Sequence, residues 1–404
     1  MKILVVSQYY YPESVRITDL CESLVIRGHS VSVVTGIPNY PEGRFFSGYS
    51  WFGKRNEQIN GVNVHRLPIL PRGKNFICLS LNYISFVVSG WFYSFLAHNR
   101  PDVVLNYEIS PITQCLVGIW LGEKYKAPVI SYILDLWPES FQEVTGNSSK
   151  LIERMLGSLV NSVYRRSDKI LTSSESFIQS IADRGISTEK IAFWPQYAED
   201  FYFSDDSAPP NIIQRDGRLL ITFAGNIGVA QGLDILIPVA RKVRELNLLV
   251  CFVLIGDGRY KSRLQNLVDS EGLQGFFQFI DKQPPQMISS YLASSDAGLL
   301  ILKKSNIFSM TIPAKLQTYM ACGVPIIGSV DGESQHIIKQ AKAGLVADAE
   351  DINQLLVAVS TFCSLSPSER KAMGESARQY ALEHYNKSML LDDFETLTRT
   401  LVKD

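Results

Sequence analysis

The 404-residue chain is poor in the features that mark metal, redox or secreted proteins. Its six cysteines, Cys21, Cys78, Cys115, Cys251, Cys322 and Cys363, lie far apart. No CxxC pair and no zinc-ligand spacing arises, and most of the thiols fall inside apolar runs, which reads as free, buried cysteine in a reducing compartment. No D-x-D triplet occurs, and no metal site is expected. The glycine fingerprint of dinucleotide binding is missing after the first strand, where it belongs. Neither sign of charge is in excess, with 39 Lys and Arg against 40 Asp and Glu. Such balance argues against a dedicated nucleic-acid binder. The opening run Lys2–Val6 is too short for a signal peptide and reads as a first strand, so a cytoplasmic location is expected.

Charge is also absent locally. From Asn75 to Asn99 there is no Asp, Glu, Lys or Arg. A helix of that length can cross a bilayer. However, Ser80, Ser85, Ser89 and Ser94 recur through it, with Asn82 and Gly90 between them. A buried crossover helix is therefore expected rather than a span, because the sheet needs the connection. Around the stretch lie Arg44, Lys54, Arg55, Arg66, Arg72, Lys74 and Arg100 against Glu57 alone, a local charge of +6. Basic residues beside Tyr49, Trp51, Phe52, Phe76, Trp91, Phe92 and Tyr93 suit an anionic membrane surface, or equally a solvated face over a core helix.

What is present is a repeated alternation of short apolar strands and longer helical stretches. Lys2–Val6, Val31–Thr35, Val62–Arg66, Val103–Leu105, Val129–Ile133 and Ile170–Thr172 form one series, with a Pro-, Gly- and Tyr-rich loop from Ile37 to Asn60. After a polar linker at 201–217, strands Leu219–Phe223, Leu249–Ile255, Phe276–Ile280 and Ala297–Leu302 alternate with helices Gly232–Arg244, Tyr260–Ser270 and Pro285–Ala293. The pattern predicts an α/β chain of two doubly wound, Rossmann-like domains facing a central cleft. Their expected extents are 1–200 and 218–385, with a last helix at 386–404 packing back on the first. Ligands of such sheets bind beyond the carboxyl ends of the strands.

Those ends carry chemistry. In the loop Ser7–Arg16, Arg16 can reach a phosphate or sugar, or be a solvated arginine. In Leu134-Asp135-Leu136-Trp137-Pro138-Glu139-Ser140, Asp135 can orient or deprotonate a hydroxyl, Trp137 can stack on a sugar, and Glu139 can bind one. The turn Gly225-Asn226-Ile227-Gly228-Val229-Ala230-Gln231-Gly232 lets backbone approach a phosphate ahead of a helix. Gly256-Asp257-Gly258-Arg259 is a second such turn, with Arg259 a candidate cation. The block Lys303–Gly328 is the most specific. There Thr311 is expected to cap a helix with Pro313 in its first turn, and that turn's amides with Lys315 to hold a diphosphate.

The GNIGxxQG loop, the IGDG turn and the PAKLQTYMACGVPII block together resemble retaining glycosyltransferases of the GT-B fold, in their fourth family. With YYYPES, GIPNYPEG and DLWPES the resemblance extends to WbuB-type N-acetyl-L-fucosamine transferases of bacterial O-antigen and capsule assembly. It implies transfer from a nucleotide-diphosphate sugar, UDP in preference to GDP, without metal or cofactor. The implied acceptor is a GlcNAc-diphosphate-undecaprenyl lipid at the inner face of the cytoplasmic membrane. Asn226 and Gln231 stand where the wider family has Arg and Lys, and Met310 and Thr318 stand where it has a Glu pair. A His often found in the N-terminal half is replaced around Leu134-Asp135. The expected catalytic residues are Asp135 and Lys315. Substrate binding is assigned to Arg16, Trp137, Glu139, Gly225, Asn226, Gly228, Gln231, Arg259, Lys282, Lys304, Thr311, Ile312 and Thr318. The alternative is a nucleotide-sugar 2-epimerase of the same architecture, for which His336 beside Glu333 is the one acid/base hint.

Overall fold

The structure, a computed structural model, describes residues 1–13, 15–73, 75–141, 150–204 and 212–403. The chain divides into two units, one of Met1–Trp194 with the C-terminal residues from Leu391 on, the other of Pro195–Leu390. The expected α/β fold is observed. In the first unit the strands are β1 (Lys2–Val6), β2 (Ser30–Gly36), β3 (Asn56–Ile59), β4 (Val62–Leu67), β5 (Val103–Glu108), β6 (Val129–Ile133), β7 (Lys169–Thr172) and β8 (Ile191–Phe193). They lie in the order 3-4-2-1-5-6-7-8. The second unit holds β9 (Leu219–Ala224), β10 (Val250–Ile255), β11 (Phe277–Ile280), β12 (Ala297–Ile301), β13 (Ile326–Ser329) and β14 (Gly344–Ala347), in the order 11-10-9-12-13-14.

The strands read as continuous apolar runs because helices cover both faces of each sheet. Thus β5 and β10 are buried at every position. In the first sheet Ile3 pairs with Val31 on one side and Val103 on the other. Strand order reverses between β1 and β5 there, and between β9 and β12 in the second sheet. At each reversal the connections leave in opposite directions and open a crevice at the carboxyl ends.

The structure departs from the sequence reading in three places. The loop Ile37–Asn60 contains β3, antiparallel to β4, so the first sheet is not purely parallel. The turn that makes it is Asn60-Gly61, with φ of +48° and +84°, a pairing that suits the right-handed twist of a hairpin. Cys78, Cys322 and Cys363 are only partly buried, unlike Cys21, Cys115 and Cys251, although all six thiols are free.

The third departure is the charge-free stretch. It forms the helix Phe76–Leu96, as expected, but that helix is not buried. Asn82, Phe86, Gly90 and Ser94 make up its buried face, while Ile77, Ile84, Phe92 and Phe95 stand exposed. It packs against the helix Cys115–Tyr125, the turn Ile112–Gln114 and β4. Close approach of the two helices depends on Gly90, where an added Cβ would lie 2.3 Å from Val117 Cγ2.

The C-terminal helix Lys387–Lys403 is tied to the first unit by Arg27–Asp392 at 2.5 Å and His29–Glu395 at 3.2 Å. Phe394 packs on Trp194 with ring centroids 5.5 Å apart.

Filling the Gly90 contact overpacks the helix pair. Gly90→Leu is expected to lower stability by about 1–3 kcal/mol, read as a lower urea midpoint at unchanged m-value.

Candidate functional site

In the first unit, polar side chains gather at the carboxyl ends of β1, β5 and β6. Glu108, the last residue of β5, is fully buried. One of its carboxylate oxygens accepts from Ser110 N at 3.0 Å and the other from Asp135 N at 3.3 Å. Leu134 N donates to Glu108 O at 3.0 Å. Ser110 Oγ donates to Asp135 Oδ2 at 2.7 Å and accepts from Trp137 Nε1 at 2.9 Å. An indole, a hydroxyl and a carboxylate thus form one directed chain that aims Asp135. Ser110 has φ +81°, a left-handed conformation that costs an L-residue of order 1 kcal/mol and persists only where neighbours impose it.

Burial raises the Asp135 carboxyl above its usual range, against the Ser110 hydroxyl that favours the charged form. Burial first, and then the nearby Asp135 charge, push Glu108 well up. Two like charges in one dry place ionise together only at a cost, so each raises the barrier to ionising the other.

A third carboxylate fixes the loops beside this pair. Glu13 accepts from Asn39 N and Tyr40 N at 2.7 Å and from Tyr10 N at 3.1 Å. That pins the segment after β1 to the segment after β2. Burial pushes its carboxyl up to about 7, opposed by these three backbone donors. Next to it, Arg72 donates to Tyr9 Oη at 3.3 Å and lies over the Tyr40 ring at 4.9 Å. Tyr83 shares a hydrogen bond with Tyr9 and sits within the field of Asp135.

The structure brings some of the residues expected in this unit together and occupies others. Asp135 and Trp137 meet through Ser110, but Trp137 is buried and tilted against Phe141, so its indole face is already covered. Glu139 is engaged in an ion pair with Arg184. Arg16 sits half-buried at the head of the helix Ile17–Ile26, in the field of Tyr132. Glu108 and Ser110 were missed. The sequence signal was a strand whose last turn, Asn106-Tyr107-Glu108, becomes polar at the end where ligands bind.

In the second unit the glycine turn after β9 lies against Lys315, in the first turn of the helix Ala314–Ala321. Gly225, at φ +143°, leaves room for the lysine, since a Cβ there would lie 2.6 Å from Lys315 Cε. Gly256, at φ +145°, lets its turn pass the first, since a Cβ would lie 1.9 Å from Gly225 O. Gln231 accepts from Gly228 N at 3.1 Å and folds the loop on itself. Asn226 is exposed at its tip, and Lys303 N donates to Ala230 O at 3.0 Å.

The Lys315 ammonium lies over the ring of Phe223 at 4.6 Å. Among the described residues no carboxylate pairs with it, and burial alone lowers its pKa to about 8. An unpaired ammonium in apolar surroundings is a standing site for an anion.

Three other expectations meet a different arrangement here. Thr311 caps no helix: its hydroxyl donates to Ile307 O at 2.7 Å, and the capping position belongs to Pro313. The short helix Asn306–Ser309 just before it supplies that acceptor, which the sequence reading had not foreseen. Ile312 and Thr318 are buried, Ile312 within the apolar core. Arg259, Lys282 and Lys304 are exposed, Lys304 in the field of Asp348. His336 is exposed on the helix Gly332–Gln340, one turn along from Glu333.

The half-buried lysine has a consequence for stability. Its pKa of about 8 when folded, against the ordinary 10.5, means that the folded chain binds fewer protons between those values. Stability therefore rises with pH across that window, and the full penalty applies below it. Lys315→Met is expected to be more stable than the parent at pH 7 by roughly 1–3 kcal/mol. The gap closes as the pH rises through the same window, measured by chemical denaturation at each pH.

Comparison with known proteins places this geometry in a family. Residues 206–380 match the family of glycosyl transferases group 1, and residues 14–196 match the glycosyl transferase 4-like domain. WcaI of Escherichia coli K12, named for colanic acid biosynthesis and glycosyl transfer, is 28% identical over 80% of this chain and 82% of its own length. The sucrose-phosphate synthase of Thermosynechococcus elongatus has the same fold, with a TM-score of 0.76 and 16% identity over 99% of this chain and 98% of that one. HepE of Anabaena, solved with UDP and glucose, superposes with a TM-score of 0.71 and 15% identity over 98% and 99%. With one match in each of its two units and the paired sheets of those enzymes, the chain belongs to the group 1 glycosyltransferases of GT-B fold.

Proposed function

We propose that this glycosyltransferase moves N-acetyl-L-fucosamine from UDP-L-FucNAc onto a GlcNAc-diphosphate-undecaprenyl lipid during assembly of a bacterial O-antigen or capsule, at the inner face of the cytoplasmic membrane. The observation that carries the reading is Lys315: a half-buried ammonium with no carboxylate partner among the described residues, in a helix's first turn, against the Gly225 turn. A nucleotide diphosphate supplies the missing anion, and the amides of that turn add donors. HepE bound to UDP and WcaI with its colanic acid name support the donor class and the polysaccharide setting. The sugar and the lipid rest on the DLWPES, GIPNYPEG and PAKLQTYMACG resemblance.

Transfer proceeds with retention and needs no metal in this reading. The bond from the sugar C1 to the β-phosphate oxygen breaks, and the acceptor hydroxyl oxygen bonds to C1 on the same face. The hydroxyl proton passes to the departing diphosphate. Lys315 holds the negative charge that develops on the diphosphate, which is where fixed positive charge gains most. Asp135, aimed by Ser110, orients the attacking hydroxyl.

Detergent-solubilised protein, a panel of labelled nucleotide sugars and a GlcNAc-diphosphate lipid test this directly. Labelled lipid disaccharide from UDP-L-FucNAc is expected. A free epimer as product, or no turnover with any donor, overturns the reading. Lys315→Ala is expected to lower kcat/KM by about 10²–10³-fold. Asp135→Asn should lower kcat by about 10²–10⁴-fold with KM for the donor little changed. Folded variants of near-parental kcat/KM would remove both residues from the mechanism.

A further inference from the structure

The helix Phe76–Leu96 is amphipathic with its faces reversed. Its polar side chains turn inward and are spent on the protein. Asn82 accepts from Gln8 Nε2 at 2.7 Å and donates to Leu70 O at 2.6 Å. Ser85 accepts from Leu70 N at 2.9 Å, and Ser89 donates to Pro68 O. The apolar side chains turn outward. Ile77, Leu81, Ile84, Val88, Trp91 and Phe95 are all exposed, Ile77 by 68% and Phe95 by 63%. Their spacing, alternately four and three residues, sets them in one straight stripe along the helix. A soluble helix places such a stripe on the core; here the core already has the opposite face.

What surrounds the stripe selects its occupant. Trp51 is held beside it by its indole N–H on Ile69 O at 2.8 Å, and the neighbouring Phe52 is 95% exposed. Cations stand at its C-terminal end: Arg100, exposed, follows Leu96 by four residues, and Lys124 Nζ donates to the carbonyls of Ser94, Phe95 and Ala97 at 2.6–2.9 Å. The helix Lys150–Arg166, which also packs on Cys115–Tyr125, presents Arg154 and Arg165 to solvent against Glu153, while Glu123 is taken by Arg166. Apolar stripe, interfacial tryptophan and a cationic border are the components of a helix that lies in a lipid interface. A second copy of this chain would bring the same cations against themselves.

The geometry points to the helix Phe76–Leu96 as a monotopic anchor, lying flat in an anionic lipid surface with the stripe immersed and Trp51, Phe52 and the cations at headgroup level. It does not span. Crossing a bilayer would strip the inward hydrogen bonds from Asn82, Ser85 and Ser89, each costly to leave unmade in lipid. The orientation stands on the helix alone; its use in presenting a lipid-linked acceptor rests on the reading above.

Co-sedimentation with vesicles of phosphatidylethanolamine and phosphatidylglycerol, against phosphatidylcholine alone, tests the anchor. The parent chain is expected to pellet with the anionic vesicles, at least tenfold more strongly than with the neutral ones and less so as salt rises. Ile84→Asp with Phe95→Asp should reduce that partition at least tenfold with the far-UV spectrum and melting temperature retained. Independently of any variant, acyl-brominated vesicles should quench the tryptophan fluorescence of the parent chain. Failure of the parent chain to pellet, equal binding by the double variant, or absence of quenching overturns the proposal. So does a concentration-dependent dimer, seen by sedimentation velocity without lipid and lost in the double variant, which would give the stripe to a second copy. A water-soluble, short-chain acceptor separates this from the transferase reading. The double variant should glycosylate it at the parental rate; if neither chain does so while vesicle binding stands, the transferase reading fails and the anchor remains.

Discussion

A parallel sheet covered on both faces has no dry place for an unpartnered polar group except its ends, and this one constraint organises both units. Every residue of β5 and of β10 is buried, so a charge within either strand must find partners or be pushed to the margin. Glu108 shows the margin in use. It is the last residue of β5, and it survives burial because two backbone N–H groups donate to its carboxyl oxygens. Lys315 shows the complementary case. It enters from a helix start, reaches a dry wall formed by Phe223, and has no counter-charge among the described residues. One unit therefore holds buried carboxyl groups at its strand ends, and the other a lysine with no carboxylate partner among the described residues.

Much of this was legible in the sequence, for a physical reason. Doubly buried strands must be apolar throughout, so their number and order stand out, and with them the loops that follow. The PAKLQTYMACG block, with its lysine two residues after proline and its terminal glycine, placed Lys315 at a helix start near two glycine turns. Asp135 emerged because a carboxylate directly after the run Val129–Ile133 has no packing role. The errors have equally local causes. Reading β5 as ending at Leu105 hid Glu108, since a buried carboxylate looks like a strand terminator until its hydrogen bonds are seen. Thr311 has the chemistry of a cap, but a preceding helical turn offered its hydroxyl the Ile307 carbonyl first. The Asn60-Gly61 turn carries a hairpin signal that the surrounding Pro- and Gly-rich loop obscured.

The charge-free stretch gave the most instructive misreading. Composition showed that Asn75–Asn99 lacks charge and contains serines at helical intervals. It did not show which face would turn in. The usual rule assigns apolar side chains to the core, and the serines then look like interruptions. In the structure they are the anchors, because the segment Pro68–Leu70 offers backbone groups that need partners. Satisfying those groups decides the rotation of the helix, and the apolar stripe takes whichever direction is left.

Tyr83 lies on the inward side of that same helix and joins Tyr9 in the field of Asp135. The stripe and the tyrosines are thus fixed to one rigid cylinder, about 10 Å across with its side chains. Whatever plane the stripe rests on, the tyrosine cluster stands one helix diameter behind it. On the proposed reading the helix would act as a ruler, setting the reach that a tethered saccharide needs to arrive at Asp135. If the proposed lipid-linked acceptor is the substrate, it would search in two dimensions at a constant height, and the distance between its anchor and its reactive hydroxyl would select it as well as the shape of its sugar.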